Sequence, residues 1–323
     1  MIVASTPLRI SLFGGSTDIP TFIEKHGSGA VISFASDLKT YVTISQDKFG
    51  SNIGAGEYIV NYSRREEVQD VSLIRNNIVR AVLSRFEVDP INISLTSDVF
   101  SHGSGLASSS SYIISIIKAV ATFKKMVITD SEICSLAYEI EVELNPYCGL
   151  QDPFGCGLGG FKLLEFGKDR RVRVEFLPTG FFDHYDCHLI FTGVTRESRP
   201  ILKDVARNVD KSLPLLRIVS SAYDALLNRN YETVLDLLNE SWTEKKKTSE
   251  LITASPEIVG LDAELAENPQ VLAHKLLGAG NGGFFLCFTE SGASFPRHDS
   301  TLTRRRGGVR VGISSEGVGG HWV

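Results

Sequence analysis

The alternation of apolar and polar positions divides the chain into short strands and amphipathic helices. Residues 91–95 alternate strictly between apolar and polar side chains, which predicts a half-buried strand. After a glycine- and serine-rich loop at 101–111, the isoleucines and valine of residues 113–120 recur at helical spacing. Thr129 followed three residues later by Glu132 is a capping-box pattern, so a second helix begins there. This half of the chain therefore alternates strands and helices around glycine-rich loops.

The remaining patterns mix strands and helices in a less regular order. They predict strands at 161–166, 187–192, 284–288 and 309–314, and helices at 213–227, 231–251 and 268–277. The apolar pattern relaxes around 178–183, which places a domain boundary there and divides the chain into domains at 1–180 and 181–323. Elements mixed in this way favour an α+β fold over a doubly wound parallel sheet.

Composition narrows the function classes. The 323 residues are 42% hydrophobic and 22% charged with a net charge of −5, typical of a globular protein with room for two domains. An acidic balance argues against nucleic acid as the main partner, and the short basic run at 304–306 is interpreted as a solvated turn. We find neither a membrane-spanning run nor a signal-peptide layout, so we expect a cytoplasmic protein without a membrane partner. Five scattered cysteines predict neither disulfides nor a zinc site.

One glycine- and serine-rich cluster is a candidate phosphate-binding loop. It comprises Gly103, Ser104, Gly105, Leu106, Ala107, Ser108, Ser109 and Ser110. A loop of small residues that leads into a helix exposes free N–H groups and the positive end of the helix dipole, which suit a phosphate chain. Ordinary capping needs only one serine, whereas four follow each other here.

Two further clusters, at 155–160 and 278–283, match G-x-G-x-x-G. Both precede predicted strands instead of helices, so neither fits a dinucleotide-binding motif. The chain also lacks the G-x-x-x-x-G-K-[ST] pattern of P-loop nucleotide hydrolases.

Taken in order, these motifs resemble the GHMP kinase superfamily, which includes galactokinase, homoserine kinase and mevalonate kinase. Residues 6–18 are similar to the first motif of the superfamily, residues 103–110 to the second and residues 275–285 (KLLGAGNGGFF) to the third. The resemblance implies a two-domain α+β fold with a ribosomal-protein-S5-domain-2-like N-terminal domain and a ferredoxin-like C-terminal domain. The stretch 149–161 resembles the sugar 1-kinases of the superfamily, in particular the D-glycero-D-manno-heptose 7-phosphate kinases.

Some positions depart from the pattern of that superfamily. Ser101 and His102 stand where a proline usually introduces the second motif, and Ala107 replaces a glycine or serine. Pro153 follows the proposed catalytic aspartate, and Asn281 interrupts the glycines of the third motif. These departures bear more on substrate identity than on reaction type.

The resemblance implies ATP and Mg²⁺ as cofactors and assigns the chemistry to a few residues. Asp152 would act as the base towards the attacking hydroxyl, and Arg9 would keep it ionised and offset charge on the transferred phosphate. Ser109 and Glu141 would hold the magnesium ion. Residue types alone leave other interpretations open: an aspartate between glycines is more often a turn residue, and Glu143 is an equal candidate for the metal.

The acceptor would be a sugar or sugar phosphate. The residues expected to bind it are Asp18, Thr17, Gly15, Gly278, Gly280, Gly282, Arg196 and Lys246, with Lys245 as a further cation for an acceptor phosphate. The expected product is a sugar 1-phosphate on the way to a nucleotide-activated sugar for surface polysaccharide. A kinase of an unphosphorylated sugar, similar to fucokinase or galactokinase, and a non-catalytic sugar and ATP sensor remain alternatives, and a homodimer is left open.

Overall fold

The computed structural model describes residues 1–46, 56–100, 103–293 and 308–323, which form two sheets with helices packed against them. The basic run at 304–306 and the Ser101–His102 departure lie outside these residues. The strands are β1 (Ile2–Phe13), β2 (Ser28–Ser45), β3 (Tyr58–Asn61), β4 (Arg65–Val68), β5 (Asn92–Ser97), β6 (Phe161–Gly167), β7 (Val172–Phe176), β8 (Tyr185–Phe191), β9 (Ala273–Leu276), β10 (Phe284–Glu290), β11 (Val309–Arg310) and β12 (Gly319–Trp322).

The helices of the described residues follow the same chain order. They are α1 (Pro20–His26), α2 (Asn77–Arg85), α3 (Ser108–Phe123), α4 (Asp130–Leu144), α5 (Gln151–Gly157), α6 (Phe181–His184), α7 (Arg199–Arg207), α8 (Leu213–Leu227), α9 (Tyr231–Thr248) and α10 (Pro256–Glu267). None of them combines the length and apolarity that a bilayer span requires.

The first sheet is organised around one long strand. Its strand order is β12-β1-β2-β5-β3-β4, and β6 pairs with the first part of β2 and carries β7. The β3–β5 pair is parallel and the other pairs are antiparallel. Helix α3 packs on β1 and β2, and most of its side chains are buried. The glycine- and serine-rich loop therefore enters a helix held rigidly against the sheet.

The second sheet has the order β11-β8-β10-β9, all antiparallel. Its central strand β10 is buried along six of seven positions, so both of its faces are covered. One apolar core joins the two sheets, with Leu8 and Phe34 of the first in the same cluster as Phe181 and Phe288. This shared core fixes the loops of the two halves relative to each other.

Several predicted elements are confirmed. The α+β class is that of the structure, and the capping box is present, with both Thr129 and Glu132 bonding across the start of α4. Helix α8 has the predicted bounds. By contrast, the helix predicted at 268–277 is wrong: helix α10 ends at Glu267, and Ala273–Leu276 is strand β9. The apolar residues of this segment form a buried strand that pairs with β10. A short apolar pattern fits a helix and a strand equally well, and here the pairing with β10 determines the outcome.

Many elements were not predicted, among them the long strand β2, helix α5 and strand β12, and two predicted elements are shorter than expected. Helix α9 ends at Thr248 and not at 251. Helix α5 overlaps the glycine cluster at 155–160, and its two glycines, Gly155 and Gly157, lower its helix propensity. Strand β12 pairs with β1, although the predicted boundary places its residues in the second domain. Only Val309–Arg310 of the strand predicted at 309–314 is regular, and Ile313 makes one isolated bridge to Ser36. The boundary near residue 180 itself stays a prediction.

Candidate active site

A cavity of about 450 Å³ lies where the two halves meet. The first half contributes the end of β1, the loop before α3, the end of α4 and the start of α5. The second half contributes the segment before α7, one residue of α9 and the loop after β9. Most of the sequence-predicted site residues are brought together here, although their positions in the chain extend from Arg9 to Ala279.

The loop before α3 follows an unusual backbone path. Gly103, Gly105 and Ala107 all have positive φ, at 69°, 80° and 60°. Ala107 is the N-cap and offers no capping side chain, so the N–H groups of the first turn have no intrahelical partner and no side-chain cap. A Cβ on Gly105 would lie 2.7 Å from the Leu277 carbonyl oxygen, so this loop packs directly on the loop after β9. A helix start with free N–H groups is a suitable phosphate site.

The consecutive serines divide into structural and available hydroxyls. Three are engaged with neighbours: Ser108 with the Ser104 hydroxyl (2.9 Å), Ser110 with Glu141 Oε2 (2.6 Å) and Ser111 with the Thr6 carbonyl oxygen (3.0 Å). Ser109 is exposed, lines the cavity and makes no hydrogen bond to the described residues. Its hydroxyl is the one left for a ligand.

Arg9 and Asp152 form an ion pair in the cavity. Arg9 Nε and Nη2 lie 2.9 and 2.7 Å from Asp152 Oδ1, and Nη1 donates to the Gly105 carbonyl oxygen at 2.8 Å. The guanidinium is 3% exposed and the carboxylate 31%. Burial by itself lowers the pKa of Arg9, but the surrounding acidic groups, Asp152 first among them, together outweigh burial and raise the pKa overall. The register of β1 against β2 shifts between Pro7 and Arg9, a bulge-like irregularity that re-aims a side chain.

Asp152 lies in the first turn of α5. Pro153 follows it without breaking the helix, because the first turn needs no N–H donor and tolerates proline. The departure from the superfamily pattern next to the proposed base thus leaves the carboxylate in place. Gly155, one turn further along, approaches Arg9 so closely that a Cβ there would lie 3.1 Å from the Arg9 Cβ.

Two more carboxylates of the cavity are those of Asp18, which is buried, and Glu141, which is partly buried. Asp18 accepts the N–H groups of Ser16 and Gln151, both at 3.1 Å. Burial, and then the charge of Asp152, raises its pKa to about 6. Burial, and then the charge of Asp152, also raises the pKa of Glu141 to about 8. Glu143 is exposed, outside the cavity and 3.6 Å from Arg85 Nη1, so only Glu141 of the two faces the site.

The donor chemistry of this corner fits a magnesium ion bound together with phosphate oxygens. Within the described ranges, no three His, Cys, Asp or Glu side chains converge to hold a metal by themselves. Magnesium commonly takes one or two carboxylates and completes its shell with phosphate and water oxygens. Glu141 is partly buried and makes no ion pair with a cation among the described residues. A divalent cation nearby would favour its ionised form and so oppose the effects that raise its pKa. The free Ser109 hydroxyl is a second hard oxygen donor.

Four cations line the wall contributed by the second half: Arg199, which is exposed, and Arg196, Lys245 and Lys275, each of which donates to a backbone carbonyl oxygen. Arg196 Nε donates to the Gly280 carbonyl oxygen at 2.7 Å, and Lys275 Nζ donates to the Leu12 carbonyl oxygen at 2.5 Å. Lys245 Nζ donates to the Gly278 carbonyl oxygen. Burial lowers the pKa of these three donors, to about 10 for Arg196 and about 8 for Lys245.

Four of the predicted acceptor-binding residues do not line the cavity: Lys246, Thr17, Gly280 and Gly282. Gly280 packs on Ile252, where a Cβ would lie 2.9 Å from the Ile252 Cα. Lys246 pairs with Asp262 at 2.8 Å and lies over Trp242, because successive helical residues point about 100° apart and Lys245 takes the inward position. The Thr17 hydroxyl is fully buried and bonds the Gly14 and Ala30 carbonyl oxygens, so it holds the turn. Gly282 contacts the Val194 segment instead, where a Cβ would lie 2.8 Å from the Val194 carbonyl oxygen. Gly15 and Gly278 do line the cavity.

Sequence reasoning missed three residues that shape the site. Gln151 Oε1 accepts the Ser11 hydroxyl at 2.6 Å, and its N–H binds Asp18. Lys275 lies in the third motif but was not singled out. Lys162 is fully buried in β6, and its ammonium contacts four carbonyl oxygens at and after the end of α5, those of Gly155, Leu158, Gly159 and Gly160. The available signal was a lysine near the start of a mostly apolar strand.

Comparison with known proteins points to one family. Residues 72–160 match the model described as the GHMP kinases N terminal domain. The chain is 31% identical to the D-glycero-alpha-D-manno-heptose 7-phosphate kinase of Campylobacter jejuni over 90% of its own length and 89% of that protein. It is 27% identical to the L-fucokinase/L-fucose-1-P guanylyltransferase of Bacteroides fragilis, over 86% of its length but 33% of that protein. A crystal structure of a D-glycero-D-manno-heptose 1-phosphate kinase from Bacteroides thetaiotaomicron superposes with a TM-score of 0.76 at 20% identity, covering 100% of this chain and 99% of that one.

Proposed function

Because this chain belongs to the GHMP kinase family, whose members are ATP-dependent phosphotransferases, we propose that it phosphorylates the anomeric hydroxyl of D-glycero-D-manno-heptose 7-phosphate. The product is the 1,7-bisphosphate, an intermediate for a nucleotide-activated sugar of surface polysaccharide, made in the cytoplasm. The Arg9–Asp152 pair beside a phosphate-binding helix start is the observation that carries the proposal. The choice of sugar is supported by the 31% identity to the Campylobacter heptose 7-phosphate kinase.

The residues of the cavity divide the work of phosphoryl transfer. The N–H groups at the start of α3 hold the triphosphate of ATP, where the helix dipole favours negative charge. Asp152 accepts the proton of the attacking hydroxyl, and Arg9 stabilises the negative charge that develops on the transferred group. Asp18 accepts hydrogen bonds from sugar hydroxyls. Glu141 and Ser109 would hold Mg²⁺, which supplies charge neutralisation at the phosphates.

A coupled assay of ATP turnover, with magnesium and a panel of acceptors, tests the proposal. The panel compares the heptose 7-phosphate with free heptose, fucose, galactose and mannose. We expect turnover with the heptose phosphate and a loss of at least about a hundredfold in kcat for Asp152→Asn. Asp210→Asn is a matched control because Asp210 is exposed and pairs with Lys25 outside the cavity, and it should retain full activity.

Other outcomes of the assay separate the competing functions. Turnover on a free sugar alone would agree with the proposed mechanism but would favour the fucokinase-like alternative for the substrate. The similarity to the Bacteroides fragilis protein is the observation that supports this alternative. Saturable ATP binding without turnover on any acceptor would refute the enzyme proposal in favour of a sensor.

A further inference from the structure

Three cations of the second half that line the cavity have no ion-pair partner among the described residues. Lys245, Lys275 and Arg196 each donate to one backbone carbonyl oxygen. None of them makes an ion pair with a carboxylate in the part of the chain that the structure describes, whereas Arg9, another cation of the cavity, is paired with Asp152. A lysine ammonium has three donors, so two remain on each lysine after the carbonyl contact.

This arrangement is costly unless a ligand completes it. Lys245 is 7% exposed and Lys275 4% exposed, and a charge that is removed from water without a counter-charge is strongly disfavoured. Burial, and then the neighbouring cations, lower the pKa of both lysines. The carboxylates of Asp18 and Asp152 offset only part of this lowering at Lys245. Because both side chains line the cavity, an anion bound there supplies the charge that the protein omits.

The position of the lysines assigns the anion to the acceptor side. Lys245 belongs to α9 and Lys275 to β9, and Lys275 bonds the Leu12 carbonyl oxygen just before the turn that carries Asp18. The helix start and the Ser109–Glu141 corner belong to the opposite wall, built by α3 and α4. Arg196 lies between the two loops, since a Cβ on Gly278 would lie 2.7 Å from its Nη2 and one on Gly103 would lie 2.7 Å from its backbone.

We propose that Lys245 and Lys275, with Arg196 beside them, form a second anion subsite that binds a phosphate monoester carried by the acceptor. The subsite is separate from the helix start that binds the triphosphate of ATP. The inference rests on the proposed kinase function and adds to it the residues that select a phosphorylated sugar over a free one.

Steady-state kinetics of Lys245→Met and Lys275→Met test the subsite. Methionine keeps the length and apolar stem and removes the charge. We expect the KM for the heptose 7-phosphate to rise about 10- to 100-fold, because the phosphate loses one charged hydrogen-bonding partner. The KM for ATP should change less than about threefold. Lys247→Met, an exposed neighbour on α9 paired with Glu244, should change neither constant. An equal rise in the KM for ATP would overturn the proposal and indicate that these cations bind the nucleotide.

A binding experiment keeps the subsite testable if no sugar phosphate is turned over. Wild-type protein saturated with a non-hydrolysable ATP analogue and magnesium, which occupies the nucleotide site, is titrated with inorganic phosphate while Tm is followed. A rise in Tm that is lost in both methionine variants and retained in Lys245→Arg supports the subsite even where the acceptor is misassigned. If phosphate does not raise the Tm of the wild-type protein, the proposed subsite is refuted. The kinase function is then tested separately by the turnover assay.

Discussion

Both Nε and Nη2 of Arg9 bond to the same carboxylate oxygen of Asp152, Oδ1. The second oxygen, Oδ2, therefore makes no hydrogen bond to the described residues and is left to accept a proton. The pair also ties the base to the phosphate loop, because Arg9 Nη1 donates to the Gly105 carbonyl oxygen. One buried guanidinium thus positions the proposed base and the proposed triphosphate site together.

Arg9→Lys should lower kcat about 10²- to 10³-fold. A lysine keeps the positive charge but cannot reproduce the forked contact to Asp152 and Gly105. Removal of one preorganised electrostatic donor from an active site typically lowers kcat by this factor. Single-turnover kinetics with saturating ATP and acceptor measure the effect on the chemical step. A kcat within fivefold of wild type would show that the fork is structural and that Asp152 needs no arginine.

Glu141→Gln should raise the magnesium concentration that gives half-maximal activity by about 10- to 100-fold, while Glu143→Gln leaves it unchanged. Only Glu141 faces the cavity, whereas Glu143 is exposed beside Arg85. The loss of a carboxylate ligand weakens binding of a hard cation in proportion to its share of the ligand charge. A magnesium titration of both variants at a fixed ATP concentration measures this difference. Equal magnesium dependence of the two variants would contradict the assignment of Glu141 as the metal ligand.

The choice between these glutamates illustrates what the sequence could and could not predict. Patterns predicted α4, its capping box and the helix after the serine loop, because those features are local. Residues two apart on a helix point to different sides, and only the packing of α4 against its neighbours tells which side meets the cavity. Likewise, Arg9 and Asp152 are separated by 143 positions, so their contact required the resemblance to a known family or the fold itself. The strand Ala273–Leu276 was missed for the same reason, since its partner β10 decides its conformation.

Asp18 should make the stability of the protein depend on pH. Burial, and then Asp152, raises its pKa from 3.8 to about 6, so the folded chain binds more protons than the unfolded chain between about pH 4 and 6. Protonation therefore stabilises the fold, and the contribution of this group to the free energy of unfolding falls as the pH rises through that window, by up to about 3 kcal/mol.

Urea denaturation of wild type and Asp18→Asn at several pH values between 4 and 7 isolates this contribution. The free energy of unfolding of wild type minus that of the variant should decrease as the pH rises, because asparagine does not titrate. A difference that stays constant across the range would mean that Asp18 has an ordinary pKa in the folded protein.

Asn281, which interrupts the glycines of the third motif, should anchor that loop. It adopts a left-handed backbone with φ of 53°, a conformation that asparagine tolerates better than most residues. Its N–H donates to the Ile252 carbonyl oxygen at 2.7 Å, and its Oδ1 accepts the Ser255 N–H at 2.8 Å. Since the carbonyl groups of the same loop hold Lys245 and Arg196, the anchor also positions the proposed phosphate subsite.

Asn281→Gly, which restores an uninterrupted run of glycines, should lower the free energy of unfolding by about 1 kcal/mol, because the Ser255 N–H loses its acceptor and the loop gains freedom. We expect the KM for the acceptor to rise several-fold with little change in the KM for ATP. Asn281→Asp keeps both the acceptor oxygen and the tolerance for positive φ, so it should behave like wild type in urea denaturation and in steady-state kinetics. If the glycine variant matches wild type while the aspartate variant does not, the side chain hinders the loop instead of holding it.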